Sequence, residues 1–200
     1  KLSTMITSKA NASNPIYGID GSATIKDIYF DDTPNDSTDN PRWRTVLLSA
    51  LGPGGHGYFA LDITNIKSPK HLFAIENDPF EQVVRHWDSD GLKSEFGYAS
   101  GNILANMDYR KLGEAWSTPR TIRIKVSGKD KWVAVFGGGY NGGVNHNTGS
   151  AVFVMDLEDE GRLLEIGKDN NGDAVYRIDI TDNDPSQVTQ IYTGNGNQTK

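Results

Sequence analysis

The stretch Gly57-Tyr-Phe-Ala-Leu-Asp-Ile63 decides the fold, because it recurs about ninety residues later as Ala151-Val-Phe-Val-Met-Asp-Leu157. The segments on either side recur in the same order: Trp43-Arg-Thr-Val-Leu-Leu-Ser-Ala-Leu-Gly52 with Trp132-Val-Ala-Val-Phe-Gly-Gly-Gly139, and His71-Leu-Phe-Ala-Ile75 with Arg162-Leu-Leu-Glu-Ile166. Short apolar strands that repeat between Gly and Asp turns predict an array of β units, each of which buries its faces against its neighbours.

Clusters of β-branched and aromatic residues between turn residues place the strands. We expect them near 24–30, 43–51, 57–63, 70–76, 120–126, 131–137, 150–157, 162–167 and 174–180. The first four form one antiparallel meander and the next four a second, each the size of a propeller blade. The predicted fold is all-β: a partial, quinoprotein-like β-propeller of two four-stranded antiparallel blades plus the start of a third.

The whole chain, 1–200, is interpreted as a fragment of one propeller domain. Its parts are a blade at 16–76, an insertion at 77–119, a blade at 120–167 and the start of the next blade at 174–200. The insertion lacks sustained alternation, so we expect it on the propeller rim, with a short helix near 102–107. A propeller needs roughly four to eight blades to close, so an incomplete propeller is expected.

Composition and charge exclude several classes of partner. The chain is 36% hydrophobic, and its longest apolar runs are far shorter than the ~20 residues of a spanning helix, so no membrane span is expected. The net charge is -6 and the basic residues are scattered singly, which argues against nucleic acid. The absence of cysteine excludes disulfides and thiolate zinc sites but leaves the compartment open.

Three aspartates follow the repeat. Asp62 and Asp156 end the third strand of each meander, and Asp179 stands in a similar position in the next apolar segment. An Asp side chain at the start of a turn accepts a hydrogen bond from the backbone two residues on, which ends the strand. We therefore predict that these carboxylates close turns and have no catalytic role.

Several segments together resemble the C-terminal propeller of the PilY-type (PilC-type) type IV pilus proteins, in the same order as in that family. They are Tyr17-Gly-Ile-Asp-Gly-Ser22, Trp43-Arg-Thr-Val-Leu-Leu48, Gly54-Gly-His-Gly-Tyr-Phe-Ala-Leu-Asp-Ile-Thr64, Ser68-Pro-Lys70, Trp116-Ser-Thr-Pro119 and Trp132-Val-Ala-Val-Phe-Gly-Gly-Gly-Tyr-Asn141. The resemblance implies a non-enzymatic pilus assembly and adhesion protein at the cell surface, pilus tip or outer membrane of a Gram-negative bacterium. Its implied partners are pilins or other pilus-tip proteins and a host or abiotic surface.

A candidate calcium loop lies at Asp169, Asn171 and Asp173, where oxygen ligands alternate along the chain as a hard cation requires. The family that the chain resembles is known for such an acidic loop. Two departures stand out: Arg177 occupies the position nine along where the family has an acid, and Gly172 is fourth rather than sixth. The alternative is a plain hairpin turn, which Asn-Gly and Asp favour unaided, and in which an inward-pointing Arg177 would pair with Asp173.

The other motifs give weaker evidence of a functional site. Gly137-Gly-Gly-Tyr-Asn-Gly142 fits a dinucleotide fingerprint, but a turn-rich linker follows where a helix should open, so we expect the glycines to serve the strand end. The acidic runs at 31–40 and 88–91 are weak ion candidates that are expected to stay hydrated. Four scattered histidines show no metalloprotease spacing and no serine elbow occurs, so no catalytic residue is predicted.

Two alternatives to a pilus protein remain open. Quinoprotein dehydrogenases also repeat strands that end in Ala-x-Asp, but they follow them with a Trp that here is replaced by Phe73 and Leu164. A carbohydrate-binding or signalling propeller is equally compatible with the fold, because fold does not dictate function. Bound quinone, detected by its absorbance, would separate the enzyme from the others.

Overall fold

The computed structural model describes residues 17–30, 43–99, 101–141 and 148–179, together with the backbone of 190–192 and 198–199. In these residues helix is limited to one 3-10 turn, Ala105–Met107. The strands of the described residues are β1 Ala23–Tyr29, β2 Trp43–Ala50, β3 Gly57–Asp62, β4 Lys70–Asp78, β5 Val83–Trp87, β6 Lys93–Gly97, β7 Arg120–Val126, β8 Lys129–Gly137, β9 Ala151–Asp156, β10 Gly167–Lys168, β11 Ala174–Val175, β12 Arg177–Asp179, β13 Gln190–Tyr192 and β14 Gln198–Thr199. The predicted all-β class is confirmed.

The first sheet is an antiparallel meander in which β1 to β6 follow one another in chain order. The sequence predicts four strands here and none between 77 and 119, so the prediction is wrong at β5 and β6. Strand β5 does alternate, but one of its two inward residues is His86, which is 3% exposed and polar in type. Strand β6 is an edge strand of mostly exposed residues, and an edge gives little apolar signal.

The second sheet has the order β12-β9-β8-β7. Its fourth strand differs from the predicted strand at 162–167. Leu163 forms a single antiparallel bridge with Met155, and the chain then leaves the sheet and returns at Arg177, which lies opposite Phe153. The excursion between them carries β10 and β11, which belong to a third sheet of order β11-β10-β13-β14. The predicted strand at 174–180 is therefore divided between two sheets.

The two larger sheets share one hydrophobic core. At its centre Phe153 lies between Phe136, with ring centroids 5.6 Å apart, and Tyr109, at 5.3 Å. Tyr58 of the first sheet extends this row, with its ring centroid 4.2 Å from that of Phe136. Aromatic rings at these separations attract one another beyond the area they bury, so this row joins the sheets.

Residues 108–117, here called the connector, run between the two sheets. Tyr109, Leu112 and Ala115 of the connector are fully buried. The sequence predicts a rim insertion here, and this interpretation is wrong for the connector. Its buried apolar residues do not alternate, because the connector includes a turn, in which the Leu112 N–H donates to the Tyr109 carbonyl, and is not a strand of either sheet.

The connector's backbone is hydrogen-bonded to both sheets. On the side of the first sheet, the Ala115 N–H donates to the Gly55 carbonyl at 3.2 Å. On the other side, the Gly113 N–H donates to the Gly138 carbonyl at 2.7 Å, and the N–H groups of Glu114 and Tyr140 each donate to the other's carbonyl. Polar backbone groups that are buried this deeply must be paired, and here each sheet supplies partners to the connector.

The register shows which residues of the two repeats are equivalent. Val46 lies opposite Asp62 in the first sheet, and Val133 lies opposite Asp156 in the second. By that register, Trp43 and Trp132 are not equivalent, although the sequence repeat aligns the two segments that they begin. Trp43 is 57% exposed, whereas Trp132 is half-buried against the core.

The predicted role of the strand-end aspartates is confirmed at two of three positions. The Thr64 N–H donates to Asp62 Oδ1 at 2.9 Å, and the Glu158 N–H donates to Asp156 Oδ1 at 2.9 Å. The residues that follow Asp179 lie outside the described part of the chain. Asp62 and Asp156 therefore close the same turn in each sheet, as a repeated architecture requires.

Candidate functional site

The acidic hairpin consists of β10, the turn 169–173 and β11. Lys168 lies opposite Ala174 at the base of the turn. Asp169 Oδ1 accepts the N–H groups of Asn171 and Asp173, each at 2.8 Å, and the Asp169 N–H donates to the Asp173 carbonyl at 2.9 Å. The turn therefore closes through its own hydrogen bonds, organised by one carboxylate.

The three predicted ligands all lie in this turn, where Asn171 and Asp173 are exposed and Asp169 is half-buried. Two carboxylates and an amide oxygen are the donor types that calcium prefers, but a full shell takes six to eight oxygens. Within the described ranges, no group of three or more His, Asp or Glu side chains could hold a metal. A set of three side-chain ligands at this turn therefore has to include the amide oxygen of Asn171. The donor types fit calcium, and the remaining donors would be backbone carbonyls or water.

Arg177 follows the acidic hairpin directly and points away from it. Its Nη1 donates to the Asp108 carbonyl at 3.1 Å and pairs with the Asp108 carboxylate. The alternative in which Arg177 turns inward and pairs with Asp173 is therefore not the arrangement found. The base of the hairpin is instead tied to the connector, which leaves the acidic turn without a cation from Arg177.

Asp108 holds two arginines. Arg110 donates to both carboxylate oxygens, from Nε to Oδ1 and from Nη2 to Oδ2 at 2.8 Å each, and Arg177 approaches Oδ2 as well. Burial raises the pKa of this carboxyl, but the hydrogen bonds and charges of Arg110 and Arg177 outweigh burial and lower the pKa to about 2. The ionised form is thus the one that the fold stabilises.

Stability should therefore depend on pH through Asp108. Its pKa is lowered on folding from 3.8 to about 2, so its contribution is full above pH about 5 and is lost as the pH falls towards 2. We expect Asp108→Asn to lower the free energy of unfolding at pH 7 by roughly 2 kcal/mol, and the difference from the parent to vanish near pH 2. Urea unfolding at several pH values measures both.

The control for this prediction is Asp130→Asn, which removes an exposed carboxylate paired with Arg123 and Lys125. Exposed pairs contribute about 0–1 kcal/mol, so this variant should show little change at pH 7. Equal losses in the Asp108 and Asp130 variants, or an Asp108 difference that persists at pH 2, would contradict a special role for Asp108.

A second hairpin has the same turn as the acidic hairpin. Between β5 and β6, Asp88 Oδ1 accepts the N–H groups of Asp90 at 3.0 Å and Leu92 at 2.8 Å, as Asp169 does two and four residues on. Gly91 and Gly172 take the fourth place, with φ of +77° and +87°. The shared signal, Asp first and Gly fourth, is visible in the sequence but was missed.

The comparison of the two hairpins distinguishes the residues that the turn shape requires from those that a bound ion would require. Since Asp88 and Asp169 make the same turn, the hairpin shape needs only the first Asp and the glycine. The two turns differ at the fifth residue, which is Leu92 in one and Asp173 in the other. The hairpin at 88–92 therefore lacks the third oxygen ligand and serves as an internal reference for the acidic hairpin.

The remaining sequence candidates either have structural roles or lie outside the described residues. The chain after Gly139 opens no helix up to Asn141, and the Tyr140 carbonyl accepts the Glu114 N–H at 2.7 Å, so the glycines serve contact with the connector. His86 Nε2 lies 2.8 Å from the Glu160 carbonyl oxygen, across the two sheets. The acidic run 31–40 and His146 lie outside the described residues.

In the described part of the chain, no helical segment has the length and hydropathy that crossing a bilayer requires.

Residues 2–195 match the family described as the PilY1 beta-propeller domain, which confirms the resemblance. Among curated relatives, the type IV pilus biogenesis factor PilY1 homolog of Xylella fastidiosa is 28% identical over 181 residues. The type IV pilus biogenesis factor PilY1 of Pseudomonas aeruginosa strain UCBPP-PA14 is 28% identical over 149 residues. These alignments cover 90% and 74% of this chain but only 9% of each relative, so the chain spans about a tenth of their length. No solved structure gives a significant match.

Proposed function

This chain belongs to the PilY1 beta-propeller domain family, and on that premise we propose that it is the propeller region of a type IV pilus biogenesis factor. The observation that carries the proposal is the family match over residues 2–195, in a chain whose two sheets repeat the same strand-end turn. In this role the propeller is a non-enzymatic scaffold that supports pilus extension and surface attachment. Its partners are pilins or other pilus-tip proteins and a host or abiotic surface.

The proposed location is the cell surface, at the pilus tip or outer membrane of a Gram-negative bacterium. The names of the relatives from Xylella and Pseudomonas support an association with type IV pili. A scaffold role is supported by where the polar side chains are used. His86 and the carboxylates of Asp62, Asp108 and Asp156 all engage neighbouring residues through hydrogen bonds or ion pairs.

Deletion of 120–179 from the chromosomal gene tests this proposal, because it removes the second sheet and the acidic hairpin. We expect fewer surface pili, reduced twitching motility and weaker surface attachment than in the parent strain. The control is a strain with Phe80→Ala, which changes an exposed residue. Normal piliation after the deletion would contradict the proposal, and quinone absorbance in the purified protein would favour the dehydrogenase alternative.

We place calcium modulation of this scaffold at the acidic hairpin. Asp169, Asn171 and Asp173 supply the side-chain oxygens, and Arg177 is held by Asp108 instead of competing for them. The ion would supply only charge neutralisation and order at the turn. Because Arg177 follows the hairpin and joins it to the connector, a more ordered turn would also be coupled to the contact between the two sheets.

The calcium prediction is a heat of binding at millimolar calcium, the weak end of the range for protein sites. We expect Asp173→Asn to abolish it, because that side chain makes none of the hydrogen bonds described for the turn and the hairpin should persist. Asp90→Asn, in the matching hairpin at 88–92, should leave the heat unchanged. Isothermal titration calorimetry on the three proteins measures this, and no heat in the parent would leave a plain hairpin turn.

A further inference from the structure

A cavity of about 550 Å³ opens at the end of the first sheet, where β2 begins, β3 ends and β4 begins. It lies on a different sheet from the acidic hairpin and has a different chemistry, because its charged residues are mostly cationic. The residues that carry the argument are Arg44, Asp62, Thr64, Ser68, Lys70 and His71. Ser89, from the turn between β5 and β6, also lines it.

A β-bulge shapes the wall of this cavity. Ala60 lies opposite Phe73, but the next residue, Leu61, lies opposite His71, so Leu72 is the extra residue of strand β4. Bulges bend a strand and redirect its side chains, and they are frequent beside binding sites. Here the bulge falls at His71 and Leu72, both of which line the cavity.

His71 supplies an unused hydrogen-bonding group. Its Nε2 is buried and has no hydrogen-bond partner in the described part of the chain. Buried polar atoms without a partner are rare in folded proteins, and each one needs an explanation such as a missing ligand. Because Nε2 has almost no accessible surface, it would donate a hydrogen bond to an oxygen bound in the cavity after a small rotation of the imidazole, which lines the cavity.

The second sheet provides an internal comparison for Arg44. Lys131 and Asp156 stand in the register positions of Arg44 and Asp62, and their ion pair is direct, at 2.9 Å. In the first sheet, Arg44 Nε and Asp62 Oδ2 are 3.9 Å apart, which is too far for a hydrogen bond. The cation that closes the strand end in one sheet is therefore only loosely paired in the other.

The Arg44 guanidinium is nevertheless held in place. It lies over the ring of Phe30, with the central carbon 4.7 Å from the ring centroid. An aromatic ring beneath a guanidinium fixes its plane while leaving its N–H edge able to donate, which suits recognition of a planar or tetrahedral oxyanion. Lys70 adds a second cation at the cavity, and Asp62 is the carboxylate that faces them.

We propose that this cavity binds a small oxyanion, a phosphate, sulfate or carboxylate group, either free or carried on a sugar. Arg44 and Lys70 supply the charge, and His71 Nε2 donates the buried hydrogen bond. Thr64 and Ser68 add hydroxyl donors at the rim, although the Thr64 hydroxyl oxygen already accepts the Thr45 N–H at 2.9 Å. The proposal is independent of the acidic hairpin and of the pilus assay.

The test is an NMR titration of the 200-residue chain with inorganic phosphate, inorganic sulfate and glucuronate in separate experiments. We expect the His71 ring signals to shift saturably with at least one of them, while those of His86, which faces the Glu160 carbonyl, do not. Tighter binding of glucuronate than of both inorganic ions would indicate an anion carried on a sugar. Tighter binding of phosphate or sulfate would indicate a tetrahedral anion.

The variant pair Arg44→Gln with Lys70→Gln should weaken binding at least 10-fold. A charge-matched control, Arg120→Gln with Lys26→Gln, changes two exposed cations on other strands and should alter the affinity less than 2-fold. His71→Gln, with the fold checked by circular dichroism, should weaken binding while both cations remain. The proposal is wrong if no probe gives a saturable shift at His71, or if the control pair loses as much affinity as the test pair.

Discussion

Replacement of Phe153 by alanine is expected to lower the free energy of unfolding by about 3–5 kcal/mol, the usual loss for a buried phenylalanine. Phe153 is fully buried and lies between the rings of Tyr109 and Phe136. The cavity left behind could not collapse easily, because the connector and a strand of the second sheet line it from different directions. Urea denaturation of the parent and variant, followed by fluorescence and circular dichroism, measures the change.

Phe80→Ala is the matched control for this prediction. It removes the same ring from a position that is 75% exposed, so the loss should stay under ~1 kcal/mol. A loss at Phe153 as small as that at Phe80 would show that the aromatic row does not hold the two sheets together. A change in the denaturant slope of the Phe153 variant would indicate that the sheets then unfold separately.

Gly139→Ala should cost about 2–5 kcal/mol, by a different mechanism. Gly139 has a φ of +84°, and a Cβ at this position would lie 1.9 Å from the Glu114 carbonyl oxygen. The left-handed conformation costs about 1–2 kcal/mol for a residue with a Cβ, and overpacking against the backbone adds about 1–3 kcal/mol. Because that carbonyl accepts the Tyr140 N–H, relief of the clash would pull the connector away from β8.

Gly128→Ala separates the two contributions. Gly128 has a φ of +80°, but a Cβ there would meet nothing within 4 Å. This variant should therefore show the conformational cost alone, about 1–2 kcal/mol. The same thermal and urea unfolding measurements apply to both variants. If Gly128→Ala costs as much as Gly139→Ala, close packing of the connector on β8 is not what requires glycine at residue 139.

The strands that the sequence predicts correctly are those with a strong local signal. Strands β2, β3, β8 and β9 are short apolar runs bounded by turn residues and they carry the repeat, so both pattern and self-similarity identify them. Strand β5 was missed because a buried histidine interrupts its apolar pattern. Strand β6 was missed because most of its residues are exposed, as at many sheet edges.

Long-range pairing explains the other differences. The predicted strand at 162–167 has a suitable local pattern. In the structure, however, the strand paired with β9 is formed mainly by Arg177 and the two residues after it. The connector's role depends on acceptors such as Gly138 and Gly55, which lie far away in sequence. No local pattern encodes such partners, so propensity alone could not distinguish a buried connector from a rim insertion.

The two candidate sites also differ in whether a local sequence signal or long-range contacts define them. The acidic hairpin could be located from the spacing of Asp169, Asn171 and Asp173, because ligands of one turn are neighbours in sequence. The cavity at the first sheet could not, since it depends on the bulge at Leu72 and on the looser pairing of Arg44 with Asp62. A sequence repeat predicts that equivalent positions exist, but only register and distance show where the copies differ.

The interruption of the fourth strand has a consequence for substitutions in the acidic turn. Leu163 and Arg177 lie opposite Met155 and Phe153, which are two residues apart, and the turn 169–173 lies outside the second sheet, so the turn can change without altering the pairing of β9. Exposed loops tolerate insertion and exchange far better than paired strands do. We therefore expect substitutions in the acidic turn to change its set of oxygen ligands while the strand pairing of the two larger sheets stays the same.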